Sequence, residues 1–372
     1  MNPILVEVMR GDALESSHRG AVAVLDADGA VLAALGDVNR PIFPRSAVKV
    51  LQALPLVESG AADKLGLSDE ELAITCASHG GETLHTQVVQ RMLEKAGLDA
   101  TALECGIHWP YNEEAARALA ATGRQPNELN NNCSGKHAGF LCLACALSGG
   151  GNVRHYARGY VEPAHPVMRV VTAALQAVTG FDLEQAPQGI DGCSIPTFAI
   201  PLHHLALGFA RIGTGTGLRA GHARAAQRLR EAVARYPVMV AGTGRFDSRV
   251  MQRLGHRVFC KVGAEGVYCA AVPERGLGIA IKMDDGNTAR AAEVAMAAAI
   301  EALVPLSDEE ATFMRKLSDV QLVNWNGIEV GALRASPSLR MAFGQVGHRL
   351  PFHRDAVARS ASPADPRDPP VA

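Results

Sequence analysis

The order of textures along the chain constrains the fold most: strand-like runs at both ends, and Ala- and Leu-rich helical pattern between them. "ILVEVM" lies at the start, and "AVAVLDADGAVLAAL" places two apolar runs around a DADG turn, a hairpin signal. From residue 47 the texture is helical, in stretches 47–58, 83–96, 113–122, 136–147, 161–179 and 221–235. Strand texture returns in "HRVFCKVGAEGVYCAAVPERGLGIAIKM", three β-rich runs separated by AEG and PERG turns. A helix over 288–303 follows, then a second hairpin signal, Asn326-Gly327 in "QLVNWNGIEVGALR". Runs of strands and runs of helices, rather than strict alternation, predict an α+β chain. The expected arrangement is one antiparallel sheet drawn from about 1–43 and 250–345, with a helical subdomain at about 46–240 inserted, all in one domain over 1–345. The Pro- and Ala-rich segment 358–372 has little to bury and reads as a disordered tail.

Composition excludes several classes of partner. The 36 basic and 38 acidic residues nearly cancel, and no basic block or stripe is present to neutralise phosphates, so nucleic acid is not an expected partner. The apolar run at the N-terminus is broken by Glu7, Arg10 and Asp12, which fits neither an export signal nor a membrane span. The expected compartment is therefore the cytoplasm, and the eight scattered cysteines read as thiols rather than a disulfide framework.

Ser46 and Lys49 stand three apart in "PRSAVKVLQAL", a spacing that shares a helix face. An apolar setting favours a neutral lysine amine, which could take the proton of the serine hydroxyl as it attacks a carbonyl. Backbone N–H groups at the start of that helix could hold the developing oxyanion. The alternative is a helix-capping serine followed by a solvated lysine. "ITCASHGGE" offers Ser78 before a Gly-Gly turn, either reactive or a loop cap. "FCKVGAEG" offers Lys261 on a strand, either reactive or solvent-facing. S-x-x-K on a helix beside K-x-G on a strand is the constellation of penicillin-binding proteins and serine β-lactamases.

"NNNCSGKHAGFLCLAC" and "GIDGCSIP" supply Cys133 and Cys193, two thiols that with a nitrogen make a plausible zinc set, His137 being the favoured nitrogen on chemistry alone. Cys142 and Cys145 lie in an apolar helix and read as core. "RIGTGTG" and "VAGTGRFDS" lack the signature of a phosphate-binding loop. "ESSHRG", 15–20, reads as a polar connection between strands.

Taken together, "PRSAVKVLQALPLVESGAAD", "ASHGGE", "NNNCSGKHAGFL", "GIDGCSIPTFAIPL", "VAGTGRF", "KVGAEGVY" and "KMDDGNTAR" resemble the rhizobial-type L-asparaginases, the thermolabile asparaginase II family. The resemblance runs over about residues 5–345. It implies a fold similar to serine β-lactamases and penicillin-binding proteins, a homodimer, and hydrolysis of L-asparagine to L-aspartate and ammonia, with glutamine as the rival substrate. Carried onto matching positions, it implies two Ser–Lys pairs, Ser46 with Lys49 and Ser78 with Lys261. It also implies a zinc beside the site on Cys133, Lys136 and Cys193, which sets Lys136 above His137 as the nitrogen donor. Arg45 and Asp191, which flank these motifs, are the candidate substrate contacts.

Overall fold

The computed structural model describes residues 1–349, so the proposed tail at 358–372 lies outside the described residues. Its centre is an eight-stranded antiparallel sheet of β1 (Ile4–Arg10), β2 (Ala13–Asp26), β3 (Val31–Leu35), β4 (Phe259–Val262), β5 (Val267–Val272), β6 (Leu277–Met283), β7 (Asp319–Val323) and β8 (Glu329–Ala335). The order is β7-β8-β1-β2-β6-β5-β4, with β3 also on β2, so strands from the two ends of the chain interleave. The long β2 does the joining: its first half pairs with β1, and residues 20–26 pair with β6. The DADG turn joins β2 to β3, and Asn326-Gly327 joins β7 to β8, as their sequences predict.

"ESSHRG" departs from expectation. It is part of β2, with Ser16–Arg19 paired to β1 in a ladder that carries two register shifts and Gly20 paired to β6, rather than a connection. Backbone pairing does not depend on side-chain polarity, and this end of the strand faces solvent, so nothing there has to be apolar.

Every residue of β5 is buried, which requires cover on both faces of the sheet. Helix α1 (Leu202–Thr214) and helix α2 (Glu293–Leu303) provide it. At Gly278, in β6, the backbone of α1 comes so close to the strand that a methyl group would overlap the Ala206 carbonyl oxygen. The "RIGTGTG" stretch is not a free loop either. Arg211–Thr214 form the last turn of α1, and Gly215 closes it in the left-handed conformation at φ 80°.

The helical part occupies the middle of the chain as expected. Lys49–Glu58, Thr83–Lys95, Ser134–Leu147, Pro166–Thr179 and Ala220–Arg235 are helices, and so are two stretches not foreseen, Asp69–Thr75 and Phe246–Leu254. Two glycines bring this part against itself and against the sheet. Gly263, two residues beyond Lys261, abuts the 44–47 turn, where a methyl group would meet Pro44 O at 2.6 Å. Gly135 lets helix Ser134–Leu147 lie directly on the Ile74 carbonyl, just ahead of Ser78. Both contacts are backbone against backbone, which only glycine permits.

Candidate active site

At the junction of sheet and helices lies a cavity of about 320 Å³, lined among others by Arg45, Ser46, Ser78, Cys133, Asp191, Cys193 and Arg245. Ser78 stands where its hydroxyl meets both lysines. Lys49 Nζ and Lys261 Nζ each donate to Ser78 Oγ at 3.0 Å. Lys49 Nζ also donates to Ala77 O at 2.5 Å and to Cys133 Sγ at 3.1 Å, and Lys261 Nζ to Val262 O at 2.8 Å. Both lysines are fully buried. Burial pulls the Lys261 amine down to about 7, against an upward pull from Asp247 and with the nearby Lys49 charge adding to the fall. Ser78 is itself fixed by its N–H, which donates to Val240 O at 2.8 Å.

Ser46 lines the same cavity, yet its hydroxyl makes no hydrogen bond to Lys49. The reason is local. Residues 45–48 form a 3₁₀ turn ahead of helix Lys49–Glu58, so the two residues are not on one regular helix face. Ala47 N–H, one of the donors expected for an oxyanion, is given to Pro44 O at 3.1 Å. Arg45 takes up a left-handed backbone at φ 50°, unfavourable for a residue with a Cβ. That conformation accompanies a 3.0 Å ion pair from Arg45 Nη2 to Asp191 Oδ1. The hydrogen bond to Asp191 raises the guanidinium. Burial would raise the Asp191 carboxyl, but Arg45 and Lys136 hold it below its ordinary range.

Cys193 sits in the tight connection between short strands Gln188–Ile190 and Pro196–Phe198, with Ser194 left-handed at φ 76°. It comes to Lys136, whose Nζ donates to Cys193 Sγ at 2.9 Å. Cys133 carries a depressed thiol because Cys193 hydrogen-bonds it, and because Lys49 and Lys136 outweigh burial. Cys193 is correspondingly raised, by that hydrogen bond and by burial. Burial would lower Lys136, but the two sulfurs beside it raise it. Among the described residues no group of three or more His, Cys, Asp or Glu converges, and the nitrogens against the sulfur pair are lysine amines, Lys136 on Cys193 and Lys49 on Cys133. His137 turns elsewhere: its Nδ1 is hydrogen-bonded with Tyr160 Oη at 2.7 Å, and burial keeps it neutral.

His108, Tyr111, Asn132, Arg245 and Thr288 also line the cavity, and sequence reasoning missed all five. Asn132 N–H donates to His108 Nε2 at 2.9 Å, and His108 stacks on Tyr111 at 4.5 Å. For Asn132 the "NNNC" run was a signal, since three consecutive asparagines read as a constrained loop. Arg245 and Thr288 stand in "VAGTGRF" and "KMDDGNTAR", two stretches that carry the family resemblance, while for His108 and Tyr111 no local pattern pointed to the cavity. Cys142 and Cys145 lie in helix Ser134–Leu147, Cys142 fully buried, and serve the core.

With a mixed fold and a half-open cavity of polar and apolar lining in place, comparison identifies the class as amidohydrolase. Residues 6–335 match the model of the family described as L-asparaginase II, and the chain belongs to that family. No curated protein matches the chain. Solved structures of a protein named Mglu are also similar. A crystal structure of Mglu has 16% identity and a TM-score of 0.32, covering 78% of this chain and 69% of its own. Mglu in its tris and glutamate form has 15% identity and a TM-score of 0.33, covering 78% and 61%. The native form has 18% identity and a TM-score of 0.31, covering 78% and 66%. Over most of these matches the chain thus spans a little under two thirds of the Mglu chain. Among the described residues no helix is long and apolar enough to cross a membrane.

Proposed function

We propose that the chain hydrolyses L-asparagine by acyl transfer, with Ser46, Lys49, Ser78 and Lys261 acting as one acid–base unit. The observation that carries this reading is the Ser78 hydroxyl at 3.0 Å from each of two buried amines. Ser78 Oγ attacks the side-chain amide carbon as its proton passes to the neutral amine of Lys261. The C–N bond then breaks, and ammonia leaves with that proton. Water then attacks the aspartyl ester, Lys261 taking a proton from the water and passing it to Ser78 Oγ as the ester C–O bond breaks and aspartate leaves. Arg45 and Asp191, paired at the cavity wall, orient the amino acid. A second reading keeps Ser46 as the nucleophile, with Ser78 relaying its proton. It is favoured by the position of Ser46 on the cavity wall three residues ahead of Lys49.

Cys133, Lys136 and Cys193 fit zinc in donor chemistry, two sulfurs and an amine brought together beside the cavity. When bound there, zinc would supply positive charge next to the reacting amide. The same reading extends to a β-lactamase-like and penicillin-binding-protein-like architecture. Its support is Gly263 packing strand β4, with Lys261, against the turn that carries Ser46.

Acid-quenching the enzyme during turnover of L-asparagine and mapping the peptides locates the ester. An ester on Ser78 supports the first assignment, and one on Ser46 selects the second. No ester on either serine, with ammonia still released, overturns acyl transfer. The Lys261 amine adds a pH expectation. It acts as a base only when neutral, so kcat/KM should rise with pH through a limb near 7 and then level. A profile flat from pH 5 to 9 would remove Lys261 from the proton path.

A further inference from the structure

The "VAGTGRF" stretch, tested above only as a phosphate loop, is tied to the site at several points. Val240 O holds the N–H of Ser78 at 2.8 Å. Glu82 holds the next turn, accepting from Thr243 N at 2.9 Å and from Thr243 Oγ1 at 2.6 Å. Gly242 is left-handed at φ 110°, and a methyl group there would meet Glu82 Oε1 at 2.6 Å, so the loop cannot be moved back. Its product is the placement of Arg245 on the cavity wall. Arg245 is exposed, and no hydrogen bond or ion pair holds its guanidinium among the described residues.

The charges around the cavity give that cation a task. Asparagine enters as a zwitterion and needs one anionic and one cationic contact. Asp191 meets the ammonium while paired through Oδ1 with Arg45 at 3.0 Å, so those two charges balance each other and leave the α-carboxylate without a cation there. Arg245 carries a cavity-wall guanidinium that no hydrogen bond or ion pair engages among the described residues, although its charge also acts on Asp247 and Glu293. We infer that Arg245 anchors the α-carboxylate of the substrate, and so restricts the enzyme to free amino acids with an unblocked carboxylate. The inference rests on the asparaginase reading and deepens it.

The test compares L-asparagine with L-asparagine α-methyl ester, following ammonia release in the full chain and in Arg245→Gln and Arg245→Lys. Wild type should prefer the free acid in kcat/KM by about 10- to 100-fold, the range that a charged hydrogen bond supports. In Arg245→Gln that preference should collapse to within about 2-fold, mainly through a higher KM for asparagine, with a smaller loss on the ester. Arg245→Lys should fall between, since an ammonium keeps the charge but loses the forked geometry. An equal loss on both substrates would show a merely structural role and overturn the anchor. So would a preference that survives in Arg245→Gln, or its absence from wild type. If wild type releases ammonia from neither substrate, the asparaginase reading fails first and the anchor with it.

Discussion

Replacing Ser78 by alanine should lower kcat for L-asparagine by about 10⁴-fold or more while leaving the protein folded. The size follows from what the hydroxyl connects. It is the one group that both buried amines share, so its loss separates the two lysines from any nucleophile at once. Residues that act as a unit lose nearly all their advantage when one is removed. The fold should survive because neither amine is left alone. Lys49 keeps Ala77 O and Cys133 Sγ, and Lys261 keeps Val262 O. A stability cost of about 1 kcal/mol, that of an ordinary hydrogen bond, is expected. Steady-state ammonia release and a thermal melt on the same sample check both halves. An alanine variant retaining a tenth of wild-type turnover would show that the hydroxyl between the amines is not in the proton path. Ser46→Ala serves as the companion variant: turnover near that of wild type there would reject the second reading, in which Ser46 is the nucleophile.

Part of the site was legible in the sequence, but the partnerships within it were less so. S-x-x-K named Ser46 and Lys49, K-x-G named Lys261, and the Gly-Gly turn after "ITCASH" named Ser78, because such chemistry needs those residue types near helix starts and strand ends. The pairing failed at Ser46. The three-residue spacing implies a shared face only on a continuous helix, and the left-handed Arg45 with its 3₁₀ turn breaks that continuity. Lys49 instead reaches residues 77, 78 and 133, and Lys261 reaches a serine 183 positions earlier. No periodicity encodes contacts of that range.

At the level of fold, the split sheet was visible because hairpin turns at both ends carry strong local chemistry. The polar half of β2 was not, since its pairing is a backbone matter. The α1 helix was obscured by "RIGTGTG", whose glycines read as a loop. Gly213 is in fact helical and faces β5, where a methyl group would meet the Ala271 side chain at 3.3 Å. Glycine in this chain marks close approach as often as it marks a turn.

That distinction predicts three different outcomes for one substitution. Gly135→Ala should destabilise by about 1–3 kcal/mol, the usual cost of forcing a methyl group into packed structure, and should also depress turnover. Its Cβ would overlap the Ile74 carbonyl oxygen and crowd Ile74 Cγ1, and a backbone carbonyl cannot rotate away as a side chain can. Helix Ser134–Leu147 would have to lift from helix Asp69–Thr75. The lift acts directly on the site, because Lys136 lies one residue beyond Gly135, and Ser78 lies just beyond the end of the other helix. Gly139→Ala, one turn further on, meets Thr75 side-chain atoms at 3.0 Å and 3.3 Å, which can yield by a few tenths of an ångström, so a milder cost is expected. Gly344→Ala, in helix Pro337–Arg349, meets nothing within 4 Å and should stabilise by about 0.5–1 kcal/mol through helix propensity alone. Chemical denaturation of the three variants beside wild type, with ammonia release on each, reads the series. If Gly135→Ala is as stable and active as Gly344→Ala, the backbone contact does not hold Lys136 and Ser78 in register, and the assembly of the cavity needs another cause.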